Sequence, residues 1–281
     1  MSIAILHDAI EKPHWRLILD PPASGAWNMA VDEALLTSAA NPGYINTLRV
    51  YSWQPACLSL GQAQPVNEVD RERLSNLGWD LVRRPTGGRA ILHTDEITYS
   101  LTGSCDDPLF VGGILPSYQR IARSLIGFLS NLGLEPESRE AAGTFVGNPQ
   151  AVCFEVPSHY EITIHEKKII GSAQARRRNA VLQHGTIPLF GDIRRITQVL
   201  AYPDENLRQI AANRVKERAT TVQDEISTRI SYPSAVIGFI HAFELTQEIN
   251  LIEGKLTSDE EKIAGQLMTE KYSQDVWTKR V

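Results

Sequence analysis

Polar and apolar positions along the chain change period several times, and the changes mark its elements. Residues 15–20 (WRLILD) read as a strand, broken by Pro21 and Pro22. Ser24 is placed to cap the helix that follows, where Asn28, Asp32 and Leu36 recur at i, i+4 spacing. Residues 47–53 and 56–60 are β-rich, with Trp53-Gln54-Pro55 as the turn between them. A helix is expected over 67–78, stopped by Gly78, and then a strand at 79–84. Residues 90–93 and 97–102 continue the β pattern beyond a loop containing glycines. Ile121, Leu125, Ile126 and Leu129 share one helical face, which predicts a helix over 116–131. Residues 136–150, rich in Pro, Gly, Glu and Asn, read as a loop. Strands are expected at 160–164, 168–170 and 182–189, with a Gly171-Ser172-Ala173 bend after the second. Past Gly191 the pattern turns helical and polar, with helices at 207–211 and 234–247. Overlapping capping boxes at Thr257 and Ser258 open a last helix. The sum is an α+β domain over residues 1–200 with a helical extension over 201–281 packed on it.

Composition narrows the class. The 281 residues carry 28 Lys+Arg against 33 Asp+Glu, a net charge of -5. That balance suits a soluble globular chain and weighs against a general nucleic-acid binder. No apolar run is long enough for a membrane helix, and the N-terminus lacks a signal-peptide pattern, so no membrane partner is expected. Three cysteines, none in a CxxC pair, argue against a disulfide framework or structural zinc and for a reducing, cytoplasmic compartment. His159 and His165 are six apart, but no HExxH motif exists, and no metal is expected. The chain is expected to be a monomer.

Three segments carry candidate chemistry. In Arg83-Arg84-Pro85-Thr86-Gly87-Gly88-Arg89, glycines allow close backbone approach to a ligand and arginines can hold an anion. It is neither a Walker loop nor GxGxxG, and a tight turn with surface arginines fits equally. His93 follows it on a strand. Cys153 leaves a Gly/Pro/Asn-rich loop, which fits a nucleophile or a small buried hydrophobe. Cys105 has polar neighbours and no base near it in sequence, and Cys57 reads as a buried, inert thiol. Lys168 opens a strand leading into Gly171-Ser172-Ala173, where it fits a thiolate- or oxyanion-stabilising role or simple hairpin solubility. Arg176-Arg177-Arg178 fits an acidic partner or a solvated face.

Taken in chain order, five motifs resemble the biotin/lipoate protein ligase superfamily. They are Asn28-Met-Ala-Val-Asp32-Glu33, Ser59-Leu-Gly-Gln62, Arg83-Arg84-x-Thr86-Gly87-Gly88-x-Ala90-x-x-His93, Lys168-x-x-Gly171-Ser172-Ala173 and His184-Gly185-Thr186. The resemblance implies a central mixed β-sheet with flanking helices, like the catalytic domain of class II synthetase-like ligases. It also implies lipoyl or octanoyl substrates and a lysine acceptor on a lipoyl domain or the glycine-cleavage H protein. Arg89 stands where adenylating members carry a third glycine, and Thr94 where they carry Asp, which weighs against ATP binding. Ala151-Val-Cys153-Phe-Glu155-x-Pro157 resembles the cysteine-dependent octanoyltransferases of the superfamily.

That resemblance implies Cys153 as nucleophile toward octanoyl-acyl carrier protein, Lys168 as its stabiliser, and no cofactor. Gly87, Gly88 and His93 are then expected to line an acyl tunnel, with Thr86, Arg89, Gly171, Ser172 and Ala173 also on substrate. Asn28, Asp32, Gln62, His184 and Gly185 are further pocket candidates. Arg83, Arg84 and the 176–178 run are expected to meet the acidic carrier or its phosphopantetheine. Three other readings compete: an ATP-dependent lipoate ligase, an amidotransferase between lipoyl domains, and a non-catalytic carrier- or lipoyl-domain-binding protein.

Overall fold

The computed structural model describes residues 12–139 and 161–281. Among them, eleven strands run in chain order. They are β1 (His14–Leu19), β2 (Thr47–Tyr51), β3 (Cys57–Leu60), β4 (Asp80–Arg83), β5 (Ile91–His93), β6 (Glu96–Ser104), β7 (Glu137–Arg139), β8 (Glu161–Ile164), β9 (Lys167–Arg177), β10 (Ala180–Pro188) and β11 (Asn250–Glu253). The helices are α1 (Gly25–Ser38), α2 (Arg71–Asn76), α3 (Ile114–Asn131), α4 (Glu205–Arg218), α5 (Val222–Ile226), α6 (Tyr232–Gln247), α7 (Ser258–Leu267) and α8 (Asp275–Thr278). None is long and apolar enough to cross a membrane.

Eight strands make one sheet in the order β11-β1-β2-β6-β10-β9-β8-β7. It is mixed, because β1 pairs in parallel with both β2 and β11 while the strands from β2 through β7 pair antiparallel. The alternation seen in sequence decides its faces. Ile97, Tyr99 and Leu101 of β6 join Val181 and Ile187 of β10 in a core with Phe128 of α3 and with Phe239 and Phe243 of α6. The opposite face is polar, with Thr98, Ser100 and Thr102, all buried. Helix α1 lies on that face, and the small sheet β4-β3-β5 sits beside it. Ser24 caps α1 as expected, its side chain accepting from Trp27 N. Gly25 lets the small sheet come close: a Cβ there would lie 2.5 Å from Cys57 Sγ.

Residues 201–281 do more than cover the domain. β11 extends the main sheet, and α6 packs on α3. Helix α7 packs on α1 and starts with the Thr257/Glu260 capping box. Arg16 of β1 holds Glu260 through two bonds of 2.7 and 2.6 Å. Glu33 of α1 meets Lys271, Tyr272 and Arg177.

Three local expectations need correction. The helix placed at 67–78 is only α2, because Val69 bridges to Leu200 and Asp70 then caps Arg73 N. Gly171-Ser172-Ala173 is not a bend but the middle of β9, paired residue for residue with β10. β11 lies within a stretch expected to be helical. Its Leu251 and Ile252 pair with Trp15 and Arg16.

Candidate active site

A cavity lies between the polar face of the main sheet and the small sheet. Its floor is Gly171 to Ala173 of β9 and His184 to Thr186 of β10. Its walls are Met29 of α1, Tyr51, Trp53, Ser59, Ile91, His93 and Thr98, with Arg84 and Gly88 from the glycine-containing loop. The loop lies tight on β3: a Cβ on Gly61 would come 1.8 Å from Gly88 O. Gly88 itself has φ of +91°, a conformation that favours glycine.

A β-bulge puts Lys168 on the cavity side of β9. Thr163 pairs with Lys168 and Ile162 with Ile170, so Ile169 is an extra residue in β9. Ile162 and Ile170 face the core under α3 and α6. Thr163 therefore faces the other way, and Lys168 with it, on the same face as Gly171 opposite Thr186. Without the bulge, Lys168 and Gly171, three apart, would point to opposite faces. Lys168 is buried, and its Nζ donates to Glu161 Oε1 at 2.9 Å. It stands beyond the cavity's lining residues, further along the strand.

Two acid–histidine–hydroxyl chains frame the cavity. Asp32 Oδ2 lies 2.9 Å from His184 Nδ1, and His184 Nε2 lies 2.6 Å from Thr86 Oγ1. Arg49 Nη1, Tyr51 OH and Ser100 Oγ also donate to Asp32 at 2.9, 2.8 and 2.8 Å. Burial raises the Asp32 carboxyl, but the His184 hydrogen bond and the Arg49 charge outweigh it and hold the group below its ordinary value. Burial pushes His184 below the ordinary imidazole value despite Asp32. Hence Asp32 is ionised, His184 is neutral with its proton on Nδ1, and the Thr86 hydroxyl donates to Nε2. In the second chain Glu96 Oε1 lies 2.5 Å from His93 Nδ1, and His93 Nε2 lies 2.8 Å from Ser59 Oγ. Trp53 stacks on His93 with ring centroids 4.0 Å apart. Its indole donates to Thr98, whose hydroxyl donates to Glu96.

The structure thus gathers Arg84, Gly88, His93, Gly171, Ser172, Ala173, His184 and Gly185 around one space, with Thr86 one bond behind His184. Cys153 lies outside the described residues, as does His159. Asn28 and Asp32 are fully buried supports beneath the cavity rather than lining groups, Asn28 Oδ1 accepting from Arg49. Gln62 is half-buried away from the cavity, its N–H donating to Thr86 O, and Gly87 uses its carbonyl to hold Arg84.

The arginine expectations are corrected. Arg83 is fully buried, donating to Thr278 O, Gly61 O and Gln64 O, and so ties the C-terminal segment to β4. Arg84 is also buried and braces the loop through Ser59 O, Gly87 O and Arg89 O. Neither lies on the outer surface, although Arg84 lines the cavity. Arg89 points out of the cavity to Glu68 at 3.2 Å. Arg176 donates to Phe110 O and Gly113 O, and Arg177 pairs with Glu33, which leaves Arg178 as the exposed member of the run. Cys57 is buried as expected, and burial pushes its thiol far above the ordinary value. His165 lies on the surface and pairs with Glu225.

Sequence reasoning gave no role to Trp53, Glu96, Thr98 or Arg49. The His93-x-x-Glu96 spacing and a lone Arg between Leu48 and Val50 in a strand were the available signals.

The lipoyl protein ligase A/B catalytic domain family matches residues 24–244. An octanoyltransferase LipM of Carboxydothermus hydrogenoformans is 39% identical over 264 residues, covering 94% of this chain and 97% of that protein. One of Brevibacillus brevis is 35% identical over 272 residues, covering 95% and 99%. Among solved structures, a bipartite lipoate protein ligase system of Thermoplasma acidophilum is similar with a TM-score of 0.80 at 28% identity, covering 95% of this chain and 96% of that one.

Proposed function

Because the chain belongs to the lipoyl protein ligase A/B catalytic domain family, we propose that it is an acyltransferase of lipoate biosynthesis. It moves an octanoyl group from acyl carrier protein to a lysine amine on a lipoyl domain or the glycine-cleavage H protein. The observation that carries this reading is a largely apolar cavity whose floor strand also presents Lys168 on the same face. An eight-carbon chain gains about 0.8 kcal/mol per CH₂ buried there.

The Cys153 thiolate attacks the thioester carbonyl of octanoyl-acyl carrier protein. The carbon–sulfur bond to pantetheine breaks, and its thiolate leaves and takes a proton. The acceptor lysine, as free amine, then attacks the enzyme thioester. The amide forms, the amine loses a proton and Cys153 is released. Lys168 supplies positive charge to the thiolate or the developing oxyanion. The donor thioester is already activated, so no ATP is consumed.

The test combines the full chain, octanoyl-acyl carrier protein and a lipoyl domain without ATP, and reads octanoylation of the acceptor lysine by mass. Transfer under those conditions is expected. Modification only from free octanoate with ATP would replace this reading with an adenylating ligase.

A further inference from the structure

The polar side chains lining the cavity are satisfied by the protein, with one exception. Ser59, His93 and Thr98 belong to the Glu96 chain, and His184 and Tyr51 to the Asp32 cluster. Ser172 Oγ meets Tyr99 OH at 2.9 Å. Thr186 Oγ1 has no partner, although Thr186 is fully buried and lines the cavity. Among the described residues one other buried side-chain oxygen or nitrogen is unsatisfied, Thr163 Oγ1. The two flank β9 on its cavity-facing side, Thr186 opposite Gly171 and Thr163 opposite Lys168. A buried hydroxyl without a partner is costly, and valine has nearly the same shape without that cost. An alkyl chain entering the cavity displaces any water that meets the hydroxyl and offers no acceptor along its length. The acceptor that an octanoyl thioester brings is at its reacting end.

We infer that Thr186 Oγ1 donates a hydrogen bond to the carbonyl oxygen of the bound acyl thioester, fixing the reacting carbon over β9 on the Lys168 side of the cavity. The inference rests on the octanoyl reading above. Thr186 is then a substrate-positioning residue that distinguishes an acyl chain from an alkyl chain.

The test uses the full chain with Cys153→Ala in every sample, so that binding is read without transfer. Calorimetry compares S-octanoyl-pantetheine with S-octyl-pantetheine, the thioether in which CH₂ replaces the carbonyl. Thr186→Val is expected to weaken the thioester about 2- to 12-fold, the range for one lost hydrogen bond, and to leave the thioether unchanged. Thr186→Ser, which keeps the hydroxyl, restores thioester binding. Equal weakening of both ligands, or none of either, overturns the inference while leaving the octanoyl reading intact. A Thr186-intact chain that binds neither ligand overturns the octanoyl reading and this inference with it.

Discussion

His184 Nδ1 sits 2.9 Å from Asp32 Oδ2, joining the floor strand of the cavity to the helix beneath it. Asp32 is also the anion that neutralises Arg49, whose side chain has no exposed surface. Removing the carboxylate leaves a buried guanidinium with the more exposed Asp20 as its remaining ion-pair partner. Asp32→Ala should therefore cost about 3–5 kcal/mol in urea unfolding. A cost below about 1 kcal/mol would show that Asp20 alone compensates Arg49.

The depressed His184 pKa makes stability depend on pH. Below the unfolded-state value of about 6.5, the unfolded chain takes up a proton that the folded chain refuses. The unfolded state then binds more protons, so stability falls as pH falls from about 6.5 toward the folded value. The urea midpoint should drop across that window, and His184→Gln should flatten the drop. Identical pH profiles for the two proteins would assign the change to another group.

Gly61 and Gly88 approach backbone to backbone, so Gly61→Ala must push the glycine-containing loop off β3. The expected result is a loss of about 1–3 kcal/mol in stability together with weaker octanoyl-pantetheine binding. Full binding at reduced stability would separate the loop's position from the site.

Tyr272 donates to Glu33 from the C-terminal segment, beside Lys271 and Arg177. Tyr272→Phe keeps the ring buried and removes one bond to a charged group, a loss of about 1.5–3 kcal/mol by urea unfolding. By contrast, Arg89→Ala breaks a partly exposed pair with Glu68 and should cost at most about 1 kcal/mol.

The main strands, α1 with its Ser24 cap and α7 with its capping box were legible in the sequence because periodicity and caps are local. β11 was not, since Asn250-Leu-Ile-Glu253 is a short edge strand whose last two residues are exposed and which gives no alternation. The bulge at Ile169 was invisible for another reason: it exists only in the pairing of β8 with β9. Motif order located Thr86, His93, Gly171 and His184, but not what each does. Arg83 and Arg84 read as surface charge because arginine is rarely fully buried; main-chain carbonyls from distant segments make their burial possible.

The central claim is that the octanoyl group passes through Cys153. Its most direct test is the intact mass of the full chain after brief exposure to octanoyl-acyl carrier protein, without ATP or acceptor. The account predicts one octanoyl group on the wild-type chain, removable by hydroxylamine as a thioester is, and none on Cys153→Ala. Active wild-type protein with no adduct, or an adduct that persists in Cys153→Ala, would contradict it.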